Sequence, residues 1–219
     1  EDLQKYPRTL EKDTTLLESL GVHFVFAPTA EEMYSAEEMQ ARFSFDFNGL
    51  DEVMEGKMRP GHFNGVVQVV SRLFELVRPT RAYFGEKDFQ QLAIIRHMVE
   101  HSTLSSNFNN LKIVGCPIVR EASGLALSSR NERLSDNEKQ TAVAISQTLI
   151  ASLEWAKTDS LKEVQKRVID TINAIDGLEV EYFEIVDKTT LQPTTTFDNA
   201  IGCVTVYCGP VRLIDNIQY

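Results

Sequence analysis

The residues best suited to chemistry stand in two short runs. The first is Gly85-Glu86-Lys87-Asp88. It follows a short apolar run, Ala82 to Phe84, and precedes apolar residues at helical spacing: Phe89, Leu92, Ile95 and Met98 or Val99. In an open parallel sheet, ligands bind beyond the carboxyl ends of the strands. A helix N-terminus there offers free backbone N–H groups and a partial positive charge. Gly85 lets the backbone approach a ligand closely, and Lys87 supplies a full positive charge for a phosphate. Asp88 can cap the helix, bind a ribose hydroxyl or hold a metal. The same four residues also describe a polar turn with a helix N-cap.

The second run is Leu125-Ala126-Leu127-Ser128-Ser129-Arg130-Asn131. Two hydroxyls and a guanidinium on one loop suit a polyphosphate that must be gripped and released. They also suit a solvated loop with an N-cap serine.

The elements around these runs follow from apolar periodicity. Val22 to Ala27 is rich in β-formers and stops at Pro28. His62 to Val77 carries Val66, Val69, Val70, Leu73, Phe74 and Val77 at helical spacing. Lys112 to Cys116 reads as a strand. Strands alternating with helices predict βαβ units and a parallel sheet. Beyond Pro117 the pattern changes. Ser135 with Glu138, and Ser160 with Glu163, are capping boxes. The first opens a helix bearing Ala142, Ile145, Leu149, Leu153 and Ala156. The second opens one bearing Leu161, Val164, Val168, Ile172 and Ile175, with Gly177 as its C′ stop. Leu178, Val180 and Tyr182 then alternate with Glu179 and Glu181 as a half-buried strand. Ile201 to Cys208, Gly209-Pro210 and Val211 to Ile214 form a hairpin pattern. The fold class expected is α/β: a Rossmann-like parallel-sheet nucleotide-binding domain over 1–117, then a small α+β lid domain over 118–219.

Bulk properties narrow the classes. The chain has 219 residues, 42% hydrophobic and 25% charged, with a formal net charge of −10. That balance argues against a general nucleic-acid binder. No apolar run approaches the roughly 20 residues of a membrane span, and no signal peptide is visible, so a cytoplasmic protein without membrane partners is expected. Cys116, Cys203 and Cys208 form no CxxC and read as thiols in a reducing compartment. His23, His97 and His101 have no metal-ligand spacing and read as structural.

Taken together, Tyr83-Phe84-Gly85-Glu86-Lys87-Asp88-Phe89-Gln90-Gln91-Leu92 and Gly124-Leu125-Ala126-Leu127-Ser128-Ser129-Arg130-Asn131 resemble the signatures of the pantoate–β-alanine ligases. Supporting stretches stand in family order: Tyr6-Pro7-Arg8-Thr9, Arg59-Pro60-Gly61-His62-Phe63, Ile113-Val114-Gly115, Val119-Arg120-Glu121 and Arg212-Leu213-Ile214-Asp215-Asn216. The resemblance implies ATP-dependent joining of pantoate to β-alanine through a pantoyl-adenylate, with Mg²⁺ and a homodimer. It places ATP on Gly85, Glu86, Lys87, Asp88, Val119, Leu127, Ser128, Ser129 and Arg130. Val119 stands where a backbone group meets adenine, and Lys87 and Arg130 are the catalytic cations. Pantoate falls to Gln91, with Arg59 and His62 as further pocket residues. His62 could equally cap the helix that follows it. Asp13 is the candidate for Mg²⁺, against a plain solvated helix-face aspartate.

The sequence also departs from that family. Members begin with a strand leading into a Gly-rich turn that carries His-x-Gly-His, and a later Pro-x-Gln-Phe stretch supplies a second glutamine. Neither motif stands in these 219 residues. On that comparison the first quarter of a family member is missing, and the expectation is exposed apolar faces, unpaired strand groups and an inactive fragment. The segment His101 to Asn110 is longer than usual. Other readings are a non-catalytic nucleotide-binding or dimerising remnant, with Phe43, Phe45 and Phe47 of Gln40–Phe47 on a strand at the dimer contact, and a nucleotidyltransferase acting on a phosphate ester.

Overall fold

The computed structural model describes residues 9–41, 43–101, 108 and 110–219. Tyr6, Pro7 and Arg8 of the first supporting stretch lie outside the described residues. So do Arg42 and most of the longer His101–Asn110 segment. The chain forms two compact units, Glu1–Arg42 and Phe43–Tyr219.

The first unit holds α1 (Leu10–Ser19), α2 (Ala30–Met33) and α3 (Ala36–Gln40). Thr29 with Glu32 and Ser35 with Glu38 are reciprocal capping boxes. The expected strand over Val22–Ala27 is not present. That stretch pairs with no strand among the described residues, and Phe24 is 92% exposed. β-formers become a strand only when a neighbour takes their backbone groups.

The second unit begins with α4 (Met54–Met58), α5 (His62–Val77), β1 (Arg81–Gly85), a 3₁₀ turn (Glu86–Asp88), α6 (Phe89–His101) and β2 (Lys112–Cys116). β1 and β2 pair in parallel from Arg81↔Lys112 to Gly85↔Cys116. α6 lies between them in sequence, so the three make a βαβ unit. The buried stripe of α5 runs through Phe63, Val67, Ser71 and Phe74. Val69 lies off that stripe and Val77 is the exposed last residue, against expectation. On β1, Arg81, Tyr83 and Gly85 point to an exposed face, and Ala82 and Phe84 to a partly buried one. Phe43, Phe45 and Phe47 do alternate inward, but not on a strand. Phe45 stacks edge-on against Phe47 and His97, so the three rings belong to the interior of this unit.

After a second 3₁₀ turn (Ser129–Arg133) come α7 (Asp136–Trp155), α8 (Leu161–Asn173), β3 (Leu178–Asp187), β4 (Ala200–Cys208) and β5 (Val211–Gln218). Both predicted capping boxes form. α8 ends at Asn173, four residues before Gly177, so Gly177 is not its C′ residue. It instead makes the left-handed turn into β3 at φ +86. The three strands form an antiparallel sheet in the order β3-β4-β5. The simple alternation expected for Leu178, Val180 and Tyr182 breaks at a bulge between Val180 and Tyr182. One extra residue there moves Tyr182 to the opposite face.

This sheet is covered on both faces. Leu178, Phe183, Ile185, Val204, Val206 and Leu213 pack against α7 and α8. Val186, Ile201 and Cys203 face the other way, into a core shared with Phe63, Val67, Phe74, Ile94, Ile95 and Met98 of α5 and α6. The α/β portion and the α+β portion therefore meet on one sheet face, next to the residues described below.

Candidate functional site

Gly85 ends β1, and Glu86, Lys87 and Asp88 make the 3₁₀ turn that runs directly into α6. This is the strand-to-helix junction where the sequence placed it. The Lys87 side chain is 16% exposed, and its Nζ lies 3.9 Å from the more exposed Asp88 carboxylate. Asp88 ends this turn, whose N-cap is Gly85, and stands directly before the first residue of α6. A Cβ added at Gly85 would meet nothing within 4 Å, and its φ of −68 suits any residue. The local fold does not itself require glycine there. Gln91 is half-buried on the first turn of α6. Its neighbour Gln90 is buried and structural, donating to Leu50 and Val53 carbonyls and accepting from the Glu55 N–H at 2.9 Å.

The serine-arginine run stands on the second 3₁₀ turn. Ser128 is its N-cap and accepts from the Arg130 N–H at 3.2 Å. Ser129 and Leu127 are exposed, and Arg130 is half-buried. The Leu127 N–H donates to the Val119 carbonyl at 2.9 Å, and the Val119 side chain is 65% exposed. Asn131 is buried; its amide donates to Glu121 at 2.8 Å and to the Ala126 carbonyl at 3.1 Å.

What joins the two runs is β5. The Asn216 amide donates to the carbonyls of Glu86 at 2.8 Å and Lys87 at 3.0 Å. Arg130 Nη1 donates to the Arg212 carbonyl at 3.5 Å. Asp215, 4% exposed, accepts both Arg120 nitrogens, at 2.7 and 3.0 Å. The result is a cleft lined by Lys87, Ser128, Arg130, Asn131, Arg212 and Asp215.

Arg59 and His62 reach the same region from the start of α5. Gly61, at φ +80, is the N-cap, and His62 is the first helical residue, so His62 does not cap the helix. Its Nε2 lies 3.4 Å from Arg59 Nη1. A guanidinium only donates, so Nε2 accepts and the ring proton sits on Nδ1. Burial, and then the charge of Arg59, push His62 below the ordinary histidine value, with Arg130 adding to this and Glu55 and Asp88 opposing. The ring is neutral at neutral pH.

Asp13 lies in the first unit, exposed on α1, where the Thr9 hydroxyl donates to its carboxylate at 3.0 Å. Among the described residues no three His, Cys, Asp or Glu side chains gather as a metal site. A nucleotide-borne Mg²⁺ asks for less: one or two carboxylates, phosphate oxygens and water. Single exposed carboxylates such as Asp88 and Asp13 fit that requirement. No helix among the described residues is long and apolar enough to cross a membrane. Cys203 and Cys208 are buried and Cys116 half-buried, all as free thiols.

Glu55, Glu181, Arg212 and Asn216 had no assigned role in the sequence reading. The ion pairs that join Arg212 to Glu181 and Glu55 span 31 and 157 residues, and no local spacing announces such contacts.

Comparison with known proteins gives the family. A family model described as pantoate-beta-alanine ligase matches residues 1–218. A pantothenate synthetase of Phocaeicola vulgatus is 60% identical over 100% of this chain and 76% of its own length. One from Porphyromonas gingivalis is 50% identical over the same shares. Among solved structures, the pantoate-beta-alanine ligase (pantothenate synthetase) of Thermus thermophilus superposes with a TM-score of 0.91 at 41% identity. It covers 100% of this chain and 77% of that one. The Francisella tularensis ligase, complexed with beta-gamma ATP and beta-alanine, gives 0.74 at 31% identity over 99% and 72%.

Proposed function

This chain belongs to the pantoate–β-alanine ligase family, and we infer that the cleft between Gly85–Asp88, Arg130 and Arg212 is where its reaction runs. That reaction is the ATP-dependent condensation of pantoate with β-alanine. The observation that carries the assignment is Asn216, whose amide ties the Glu86 and Lys87 carbonyls to the strand that also supports Arg130. Two cationic motifs 43 residues apart, Lys87 to Arg130, thereby face one cleft. A non-catalytic remnant is not the favoured reading.

In the first step a pantoate carboxylate oxygen bonds to the α-phosphorus of ATP, and the bond to the bridging β-phosphate oxygen breaks. Pyrophosphate leaves and pantoyl-adenylate remains. Both reactants are anions, so cations that meet the developing charge lower the barrier. Lys87 takes that part at the phosphates, and Arg130 balances the leaving pyrophosphate. Ser128 and Ser129 offer hydroxyls on the same turn. Gly85, with open space where a Cβ would stand, lets the nucleotide lie against the backbone of Glu86 and Asp88. Val119 and Leu127 flank the adenine. Gln91 offers a neutral amide to the pantoate hydroxyl and carboxylate, with Arg59 and His62 beside it. In the second step the β-alanine amine bonds to the activated carbonyl carbon, loses a proton, and AMP leaves.

A Mg²⁺ bound with ATP would screen the phosphates; Asp88, beside Lys87, is a carboxylate that could hold it, and Asp13 is the candidate the resemblance names. On the same reading, 1–117 is the nucleotide-binding domain and 118–219 a lid, the protein works in the cytoplasm, and it pairs as a homodimer. The test is pantoate-dependent exchange of labelled pyrophosphate into ATP by the purified chain. Exchange that requires pantoate supports the assignment. Exchange promoted equally by unrelated acids overturns the choice of substrate.

A further inference from the structure

One guanidinium is held by two carboxylates drawn from distant parts of the chain. Arg212 Nη1 and Nη2 donate to the two Glu55 oxygens at 2.8 and 2.6 Å, and its Nε donates to Glu181 Oε2 at 2.9 Å. Tyr182 and Thr205 hydroxyls donate to Glu55 Oε1 at 2.9 and 3.1 Å. The Tyr207 hydroxyl donates to Glu181 Oε1 at 3.1 Å. All three charged side chains are 15–16% exposed. A planar fork with each carboxylate oxygen engaged has essentially one geometry.

The backbone is shaped to build this group. On a regular strand Glu181 and Tyr182 would point to opposite faces. The bulge between Val180 and Tyr182 lets both act on it, Glu181 on Arg212 and Tyr182 on Glu55. Thr205 and Tyr207 stand two apart on β4 and so share a face, and Tyr207 is the register partner of Arg212.

The group also spans the two halves of the cleft. Glu55 lies on α4, four residues before Arg59 and seven before His62. The Arg212 carbonyl receives Arg130 Nη1. We propose that Arg212 is a positioning residue: clamped between Glu55 and Glu181, it fixes the carbonyl on which Arg130 rests and keeps Arg130 in register with Arg59 and His62. This rests on the reading of the cleft as the ATP and pantoate site. A buried ion triad adds little net stability over apolar packing, so its geometry, not its strength, is what the site uses.

The test is a double-mutant cycle read by calorimetric titration of ATP into the 219-residue chain in the presence of pantoate. Arg212→Lys keeps the charge but cannot fork two carboxylates. The Kd for ATP rises about tenfold in the wild-type background but less than about twofold in the Arg130→Ala background, because contacting residues couple. Glu181→Gln keeps the side-chain shape and gives the same pattern. It replaces Arg212→Lys if circular dichroism shows that variant unfolded. Equal losses in both backgrounds overturn the proposal, since Arg212 would then not act through Arg130. A merely structural role lowers the melting temperature without making the loss depend on Arg130. Wild-type chain that binds no ATP overturns the functional reading, and this inference with it.

Discussion

Asn216 holds the backbone of Lys87. Its Nδ2 donates to the Lys87 carbonyl at 3.0 Å and to the Glu86 carbonyl at 2.8 Å, although the residues are 129 and 130 positions apart. Asn216 is 4% exposed, so these carbonyls have a partner from which water is excluded. Asn216→Ala leaves both without it. The expected loss is about 1–3 kcal/mol of stability, together with weaker ATP binding. Denaturant unfolding and ATP titration measure the two effects separately; unchanged ATP affinity in a folded variant would contradict the link between Asn216 and the turn.

Lys87 carries the charge at the phosphates on this reading. Lys87→Ala lowers pantoate-dependent pyrophosphate exchange by about 100-fold or more, the usual scale for one key electrostatic donor. Exchange near the wild-type rate removes Lys87 from the mechanism.

Arg120 neutralises Asp215, whose side chain is 4% exposed. Arg120→Ala strands that carboxylate and costs about 3 kcal/mol or more. Replacing both with a well-packed apolar pair restores most of the loss. Chemical denaturation of the single and double variants decides the point: a single variant as stable as wild type shows the pair to be unnecessary.

Stability falls on acidification, and the sign follows from two groups. Burial favours the neutral form of Glu55, but the hydrogen bonds and charge of Arg212 outweigh it and hold the carboxyl below its ordinary range. Folded protein therefore binds fewer protons than unfolded chain. The Glu55 contribution is complete above about pH 4.3 and is lost as pH falls through the depressed folded value. His62 is depressed by burial and Arg59. Unfolded chain takes up that proton first, so the native state loses ground below about pH 6.5. Melting temperatures between about pH 3 and about pH 8 should fall with pH, and Glu55→Gln should flatten the acid limb. A wild-type melting temperature that rises on acidification contradicts both assignments.

Gly61 caps α5 in the left-handed region at φ +80, with open space around its missing Cβ. Gly61→Ala therefore meets backbone strain and no clash, and costs about 1 kcal/mol. Because Gly61 lies between Arg59 and His62, the same variant should weaken pantoate binding. Thermal unfolding and a pantoate titration check the pair of effects.

Much of this protein was legible locally because its signals are local. Capping boxes at Ser135–Glu138 and Ser160–Glu163 close within one helical turn, and both form. Strand, turn and helix over Arg81–His101 follow from apolar period and the Gly85–Asp88 punctuation. The two motifs and their family followed from the same short runs. Tertiary structure decided what depends on partners. Val22–Ala27 has β-forming residues but no ladder, and Phe43, Phe45 and Phe47 alternate inward without one. The bulge before Tyr182 reassigns a strand face that alternation alone had placed otherwise. Glu55, Glu181 and Arg212 share one network, and Asn216 holds the Lys87 turn, across up to 157 residues of chain. Chain order encodes helix and strand through contacts a few residues long. A buried hydrogen-bond network has no period, so only the folded backbone reveals which charges it brings together.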